Sequence, residues 1–175
     1  MKKNVFIIIF ILLALIVTGS IILKKIKSPA QTAMVRIGQP APTFELMDMS
    51  GKKWTLEELK GKIVILNFWA SWCKECKDEK KAIQAYLNKN GNDKELVFLT
   101  VLYKDNPTAV AEFIKASGFT FPVLIDNGVV SANYGIKGVP ETFLIDKKGI
   151  LRHKIIGPVD WNNPHIVPHL KQVLS

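Results

Sequence analysis

Cys73 and Cys76 are the only cysteines among the 175 residues. They stand three apart in Trp69-Ala70-Ser71-Trp72-Cys73-Lys74-Glu75-Cys76. On the first turn of a helix, positions i and i+3 share a face about 5 to 6 Å apart, a separation that a disulfide tolerates. Such a pair can open and close reversibly. The cysteine at the helix N-terminus gains most from unpaired backbone N–H groups and the helix dipole, which favour a thiolate, the form that attacks disulfides. Cys73 is therefore the expected attacking thiol and Cys76, one turn in, the buried resolving one. Two plainer readings compete. A structural disulfide this short closes too little chain to stabilise much. A metal half-site needs further ligands, and His153, His165 and His169 come with no second cysteine pair.

The elements that must hold the pair are legible around it. Ile63-Val64-Ile65-Leu66-Asn67-Phe68 is apolar and β-branched with almost no alternation, as expected of a strand buried on both faces. Lys77 to Asn88 reads as a helix, with Ala82, Ile83, Tyr86 and Leu87 as its apolar stripe. The local order is strand, turn, cysteine pair, helix.

Residues 5 to 23 carry no charge, long enough as a helix to span the hydrocarbon core of a bilayer. Ile21-Ile22-Leu23-Lys24-Lys25 is a poor cleavage sequence, so an uncleaved anchor is expected rather than a signal peptide. Lysines flank this stretch on both sides, which nearly balances the positive-inside rule. A cysteine couple serving disulfides belongs where disulfides persist. The expectation is a single-pass protein of the cytoplasmic membrane with its catalytic domain on the extracytoplasmic, periplasmic side. The division expected is 1–27 anchor, 28–35 tether and 36–175 domain.

The formal charge is +9. Five of the lysines lie in residues 1–27, where there is no acid, so 19 basic residues face 15 acids in the remainder. A surplus that small reads as an ordinary solvated surface, and no basic stripe with interleaved aromatics argues for nucleic acid.

Along the domain, Phe44 and Leu46 alternate with polar neighbours and Ser50-Gly51-Lys52-Lys53 turns into Trp54-Thr55, an N-terminal hairpin. Thr55 with Glu58 forms a capping box for a short helix ending at Leu59. Leu96–Leu102 is a second buried strand, and Asn106-Pro107 starts a helix over 108–117 that Gly118 ends. A strand over 121–125, a short helix over 129–134, two strands over 141–146 and 150–156 joined by Lys147-Lys148-Gly149, and an amphipathic tail over 163–174 complete the reading. The fold class is α/β, a mixed central sheet flanked by helices.

Phe68-Trp69-Ala70-Ser71-Trp72-Cys73-x-x-Cys76, together with Gly138-Val139-Pro140-Glu141-Thr142-Phe143-Leu144-Ile145-Asp146, resembles the thioredoxin-like thiol-disulfide oxidoreductases. Within these the chain is most similar to the membrane-anchored TlpA, ResA and CcmG (DsbE) type used in cytochrome c maturation. Tyr103-Lys104-Asp105 resembles the same branch, and Gly38-x-x-Ala41-Pro42-x-Phe44 is shared with peroxiredoxins. The resemblance implies a thioredoxin-like fold with an N-terminal hairpin extension. It implies catalytic roles for Cys73 and Cys76, and a cis bond before Pro140 that leaves the Val139 backbone free to pair with a bound partner. It implies further that Glu79 is a proton acceptor for the buried thiol and that Glu141 lines an acidic partner groove, with Trp69 and Trp72 shielding the site. Lys74 and Glu75 replace the residues many members carry between the cysteines, where proline often precedes the second.

No cofactor and no metal are expected. The partners implied are a protein disulfide, apocytochrome c before haem attachment, and an upstream membrane electron donor. The competing functions are a general extracytoplasmic reductase or oxidase, a copper-binding metallochaperone using the two thiolates, and a peroxidase. The last lacks the threonine or serine context that a peroxidatic cysteine needs.

Overall fold

The computed structural model describes residues 35–90 and 93–174. The expected anchor and residues 28–34 of the expected tether lie outside them. Among the described residues no helix is long and apolar enough to cross a membrane.

β1 (Glu45–Met47) and β2 (Lys53–Thr55) form the expected antiparallel hairpin, with Leu46 opposite Trp54. The turn between them closes on Asp48, whose carboxylate accepts the Ser50 and Lys52 backbone N–H groups and the Trp54 indole N–H. Thr55 Oγ1 accepts the Glu58 N–H at 3.2 Å, one of the two bonds of the expected capping box. The single turn that follows, Glu57–Leu59, is 3-10 rather than α, consistent with its length.

The main sheet contains β3 (Ile63–Trp69), β4 (Leu96–Leu102), β5 (Val123–Ile125), β6 (Glu141–Ile145) and β7 (Leu151–Ile156), in the order β5-β4-β3-β6-β7. β3 is central, parallel to β4 and antiparallel to β6, so the sheet is mixed as expected. β5 begins later than the sequence suggests. Pro122 has no N–H to give the ladder, and only its carbonyl joins, accepting the Thr100 N–H and hydroxyl at 3.1 and 2.8 Å.

Side chains alternate across a strand, and the two faces of β3 hold different cores. Val64, Leu66 and Phe68 pack with Phe44, Leu56, Val130 and Tyr134, from the N-terminal segment and from α3 (Val129–Asn133) and its C-cap. Ile63, Ile65 and Trp69 pack on the other face with Ile83 of α1 (Lys74–Asn90), Val110 of α2 (Pro107–Ser117) and Val167 and Leu170 of α4 (Ile166–Leu174). Burying each such apolar side chain contributes about 1.5 to 3 kcal/mol. Asn67 falls on this second face, wholly buried within an otherwise apolar run. A buried amide without partners is costly, and its partners are the key to the site.

α1 starts directly after Cys73, where the spacing of the pair places the helix N-terminus, one turn before the expected apolar stretch from Lys77. That first turn has no apolar stripe of its own, so periodicity could not reveal it. α2 follows the expected pattern: the Asn106 side chain caps it by accepting the Thr108 and Ala109 N–H groups, and Gly118 closes it at φ 66°, a conformation costly for any residue with a Cβ. α4 starts later than expected, after a turn in which Asn163 Oδ1 accepts the His165 N–H at 3.0 Å.

Candidate active site

The end of β3 and the start of α1 bring Cys73 and Cys76 to a Cα separation of 5.2 Å, joined as a disulfide. Cys73 occupies the N-cap of α1. Its carbonyl accepts the Lys77 N–H at 3.2 Å, and its Sγ receives the Cys76 N–H at 3.1 Å. The sulfur thus sits where a serine or aspartate cap would place its oxygen, accepting an N–H that the first turn leaves without an intrahelical partner. A thiolate released there is met by a backbone donor and by the positive end of the helix. Cys76, by contrast, is wholly buried.

The residues between the cysteines carry opposite charges that do not act equally. Lys74 points its ammonium to Asp78 at 3.4 Å, whereas the Glu75 carboxylate lies 4.0 Å from Cys73 Sγ.

Two loops frame the disulfide. The Val139–Pro140 bond is cis, the isomer the resemblance implies, and the Val139 carbonyl oxygen lies 3.7 Å from Cys73 Sγ. On the other side, Asp105 accepts the Ser71 N–H and the Lys104 carbonyl accepts the Trp72 indole N–H, so the loop after β4 buttresses the turn carrying the cysteines. Trp72 is 61% exposed beside the pair, while Trp69 is fully buried beneath it. Trp69 is therefore a core side chain under the site rather than a lid over it.

Glu141 differs from the expectation of an acidic groove. Its side chain is buried and opposed by Lys154 at 2.6 Å. Its Oε1 accepts the Lys137 and Gly138 N–H groups at 3.2 and 3.4 Å. A carboxylate this enclosed presents no charge to a partner; it braces the loop leading into Pro140.

Glu79 is 3% exposed, facing inward one turn after Cys76. Its Oε1 accepts the Val159 N–H at 2.8 Å and the Trp161 indole N–H at 3.2 Å, and its Oε2 accepts the Asn67 amide at 3.1 Å. Asn67 also donates to Thr142 Oγ1 at 2.8 Å. Beside Glu79 lies a residue absent from the expected site, Lys80, whose side chain is wholly buried. Its ammonium donates to Asn67 Oδ1, lies 3.6 Å from Glu79 Oε2 and sits 5.1 Å from the centre of the Trp69 ring. Burial pushes the Lys80 ammonium down to about 8, with Glu79 acting in the opposite direction. Two signals for this network stood in the sequence: Asn67 inside an apolar strand, and the spacing Cys76, Glu79, Lys80, Ile83, which marks one face of a helix.

His153, His165 and His169 are all exposed. Among the described residues no three His, Cys, Asp or Glu side chains are grouped as a metal ion would need.

A model of the AhpC/TSA family matches residues 37–154. The chain is 38% identical over 132 residues to the thiol-disulfide oxidoreductase ResA of Bacillus thuringiensis (strain Al Hakam), covering 73% of this chain and 74% of the relative. It is 30% identical over 154 residues to the thiol:disulfide interchange protein DsbE of Pseudomonas aeruginosa, covering 84% and 82%. A crystal structure of a thiol:disulfide interchange protein of the thioredoxin family from Chlorobium tepidum superposes with a TM-score of 0.70 at 25% identity, over 80% of this chain and 99% of that one.

Proposed function

The chain belongs to the AhpC/TSA family, with a thioredoxin-like fold, and is a thiol-disulfide oxidoreductase of the ResA and DsbE type; from that premise we propose that it works as a reductase on a protein disulfide outside the cytoplasm. The client in this reading is apocytochrome c before haem attachment. An N-terminal single-pass anchor holds the domain at the periplasmic face of the cytoplasmic membrane, and a dithiol donor at that membrane restores the reduced pair.

One observation carries the direction of attack. Cys73 Sγ stands at a helix N-cap against the Val139 carbonyl and its residue keeps 6% exposure, whereas Cys76 keeps none. In the reduced protein the Cys73 thiolate attacks one sulfur of the client disulfide. A Cys73–client disulfide forms, and the client's other sulfur leaves with the electron pair and takes a proton. Cys76 then loses its proton and attacks Cys73 Sγ. The Cys73–Cys76 bond forms, the bond to the client breaks, and the second client sulfur leaves as a thiolate that is protonated. The client gains two electrons and two protons, and the pair is oxidised.

Cys76→Ala removes the second attack, so the protein should accumulate a mixed disulfide with apocytochrome c through Cys73. Capture of unrelated secreted proteins without apocytochrome c would move the assignment to a general extracytoplasmic role. A potential of about −270 mV or lower is expected of a reductase, and one near about −120 mV would reverse the direction. Labelling Cys73 on intact cells with a membrane-impermeant maleimide tests the side of the membrane.

A further inference from the structure

A lysine ammonium is seldom enclosed without a reason, since its desolvation must be offset by partners. Lys80 lies four residues after Cys76 and next to Glu79, and all three are buried on one face of α1. Helical spacing puts residues at i, i+3 and i+4 within about 5 to 6 Å at their Cβ atoms. The charged or titratable groups that meet here are Cys76, Glu79 and Lys80 from α1 alone. β3 contributes Asn67 and Trp69, β6 contributes Thr142, and the segment after β7 contributes the Val159 amide and the Trp161 indole. None of these others titrates in the ordinary range, and the acid of that last segment, Asp160, is exposed.

The carboxylate of Glu79 is held by three neutral donors, and Lys80 is the one cation placed against it among the described residues. Neutral donors orient a buried carboxylate; an adjacent ammonium also compensates its charge. The same ammonium is tied to Asn67, which in turn donates to Glu79, so the three side chains form a closed ring of contacts.

We propose that Lys80 is a positioning residue for the second step of the exchange, holding the Glu79 carboxylate in place and aimed so that it takes the proton from Cys76. The proposal rests on the two-step exchange above. The Cys76 proton passes to Glu79, the thiolate's electron pair forms the bond to Cys73 Sγ, and the client sulfur departs with the pair of the broken bond, collecting a proton from Glu79 or water. Lys80 exchanges no atom with substrate. Its charge is present at neutral pH and weakens toward the alkaline side, because burial holds its pKa at about 8.

The test uses the full chain in its reduced form, with thiolate formation followed by ultraviolet absorbance against pH, and with the rate of client release compared with the rate of the first attack. Lys80→Met should raise the pH at which the buried thiol ionises by a unit or more. At pH 7 it should slow release at least tenfold more than attack. Lys80→Arg, which keeps the cation, should restore most of both. In a Glu79→Gln background, adding Lys80→Met should slow release no further, since Lys80 acts on that step through Glu79; only the direct effect of its charge on the thiol titration should remain. That double variant buries no charge in the pair and so remains a readable protein if Lys80→Met alone does not fold. Unchanged thiol titration in Lys80→Met, or a full additional slowing of release by Lys80→Met without Glu79, would overturn the proposal. A wild-type chain that reduces no protein disulfide would instead defeat the reductase reading, and the titration would still judge Lys80.

Discussion

Lys80 leaves a signature in stability as well as in chemistry. Its ammonium is pushed from the ordinary 10.5 down to about 8 in the folded protein, chiefly by burial. Lys80 is thus a base whose folded pKa lies below its unfolded one. Below about pH 8 both states hold the proton, and the fold bears the whole cost of enclosing the charge. Between about 8 and 10.5 the unfolded chain holds one proton more, so the free energy of unfolding climbs with pH. Two and a half units at 1.36 kcal/mol each amount to about 3 kcal/mol, of which about 2 kcal/mol falls between pH 7.5 and 9.5. Urea unfolding of the oxidised protein over that range reads it directly, because the disulfide leaves no thiol to titrate. With an m-value of about 2 kcal/mol per molar, the midpoint should rise by roughly 1 M urea. Tyr134, which burial holds well above its ordinary range, works in the opposite direction only above about pH 10. The Glu79→Gln/Lys80→Met protein, with no charge in the pair, should lose the slope. Glu79→Gln alone should start its rise at a lower pH, since Glu79 is what holds Lys80 up. Equal slopes in the wild type and the double variant would refute the assignment of a buried, charged Lys80.

Glu75→Gln removes the carboxylate 4.0 Å from Cys73 Sγ, while Lys74 remains engaged with Asp78. The Cys73 thiolate fraction at pH 7 should rise by about twofold, a small effect because the pair is partly solvated; iodoacetamide alkylation rates measure it, and a fall would reverse the sign argued here. Tyr134→Phe deletes the hydroxyl that donates to the Pro42 carbonyl at 2.8 Å, and should lower stability by about 1 kcal/mol in urea while reducing the destabilisation above pH 10.

The sheet was legible because its central strands are long and uniformly apolar: β4 has the bounds read from the sequence, and β3 gained only Trp69. Where boundaries slipped, the cause was local chemistry that hydrophobic period does not register. The first turn of α1 is specified by a sulfur at the cap, Pro122 delays β5, and an asparagine turn delays α4. The cysteine pair and the Val139–Pro140 loop were found by motif, and the fold brings them together at 3.7 Å.

The charged network was harder to read, for an energetic reason. In Lys77-Asp78-Glu79-Lys80-Lys81 a solvated surface is the expected default, because isolated charges are not buried without partners. The partners come from three elements distant in sequence: Asn67 on β3, Thr142 on β6, and Val159 with Trp161 after β7. Each alone has an ordinary explanation. Together they supply three donors to Glu79 and, through Asn67, an acceptor to Lys80, and breaking one side exposes the cost on the other. Asn67→Leu tests this interdependence, because it removes the shared acceptor of Lys80 and donor of Glu79 without touching either charge. It should cost about 3 to 5 kcal/mol in the wild type but clearly less in the Glu79→Gln/Lys80→Met protein, where no charge is left stranded. The same loss in both backgrounds would mean that Asn67 packs the core and does not join the pair.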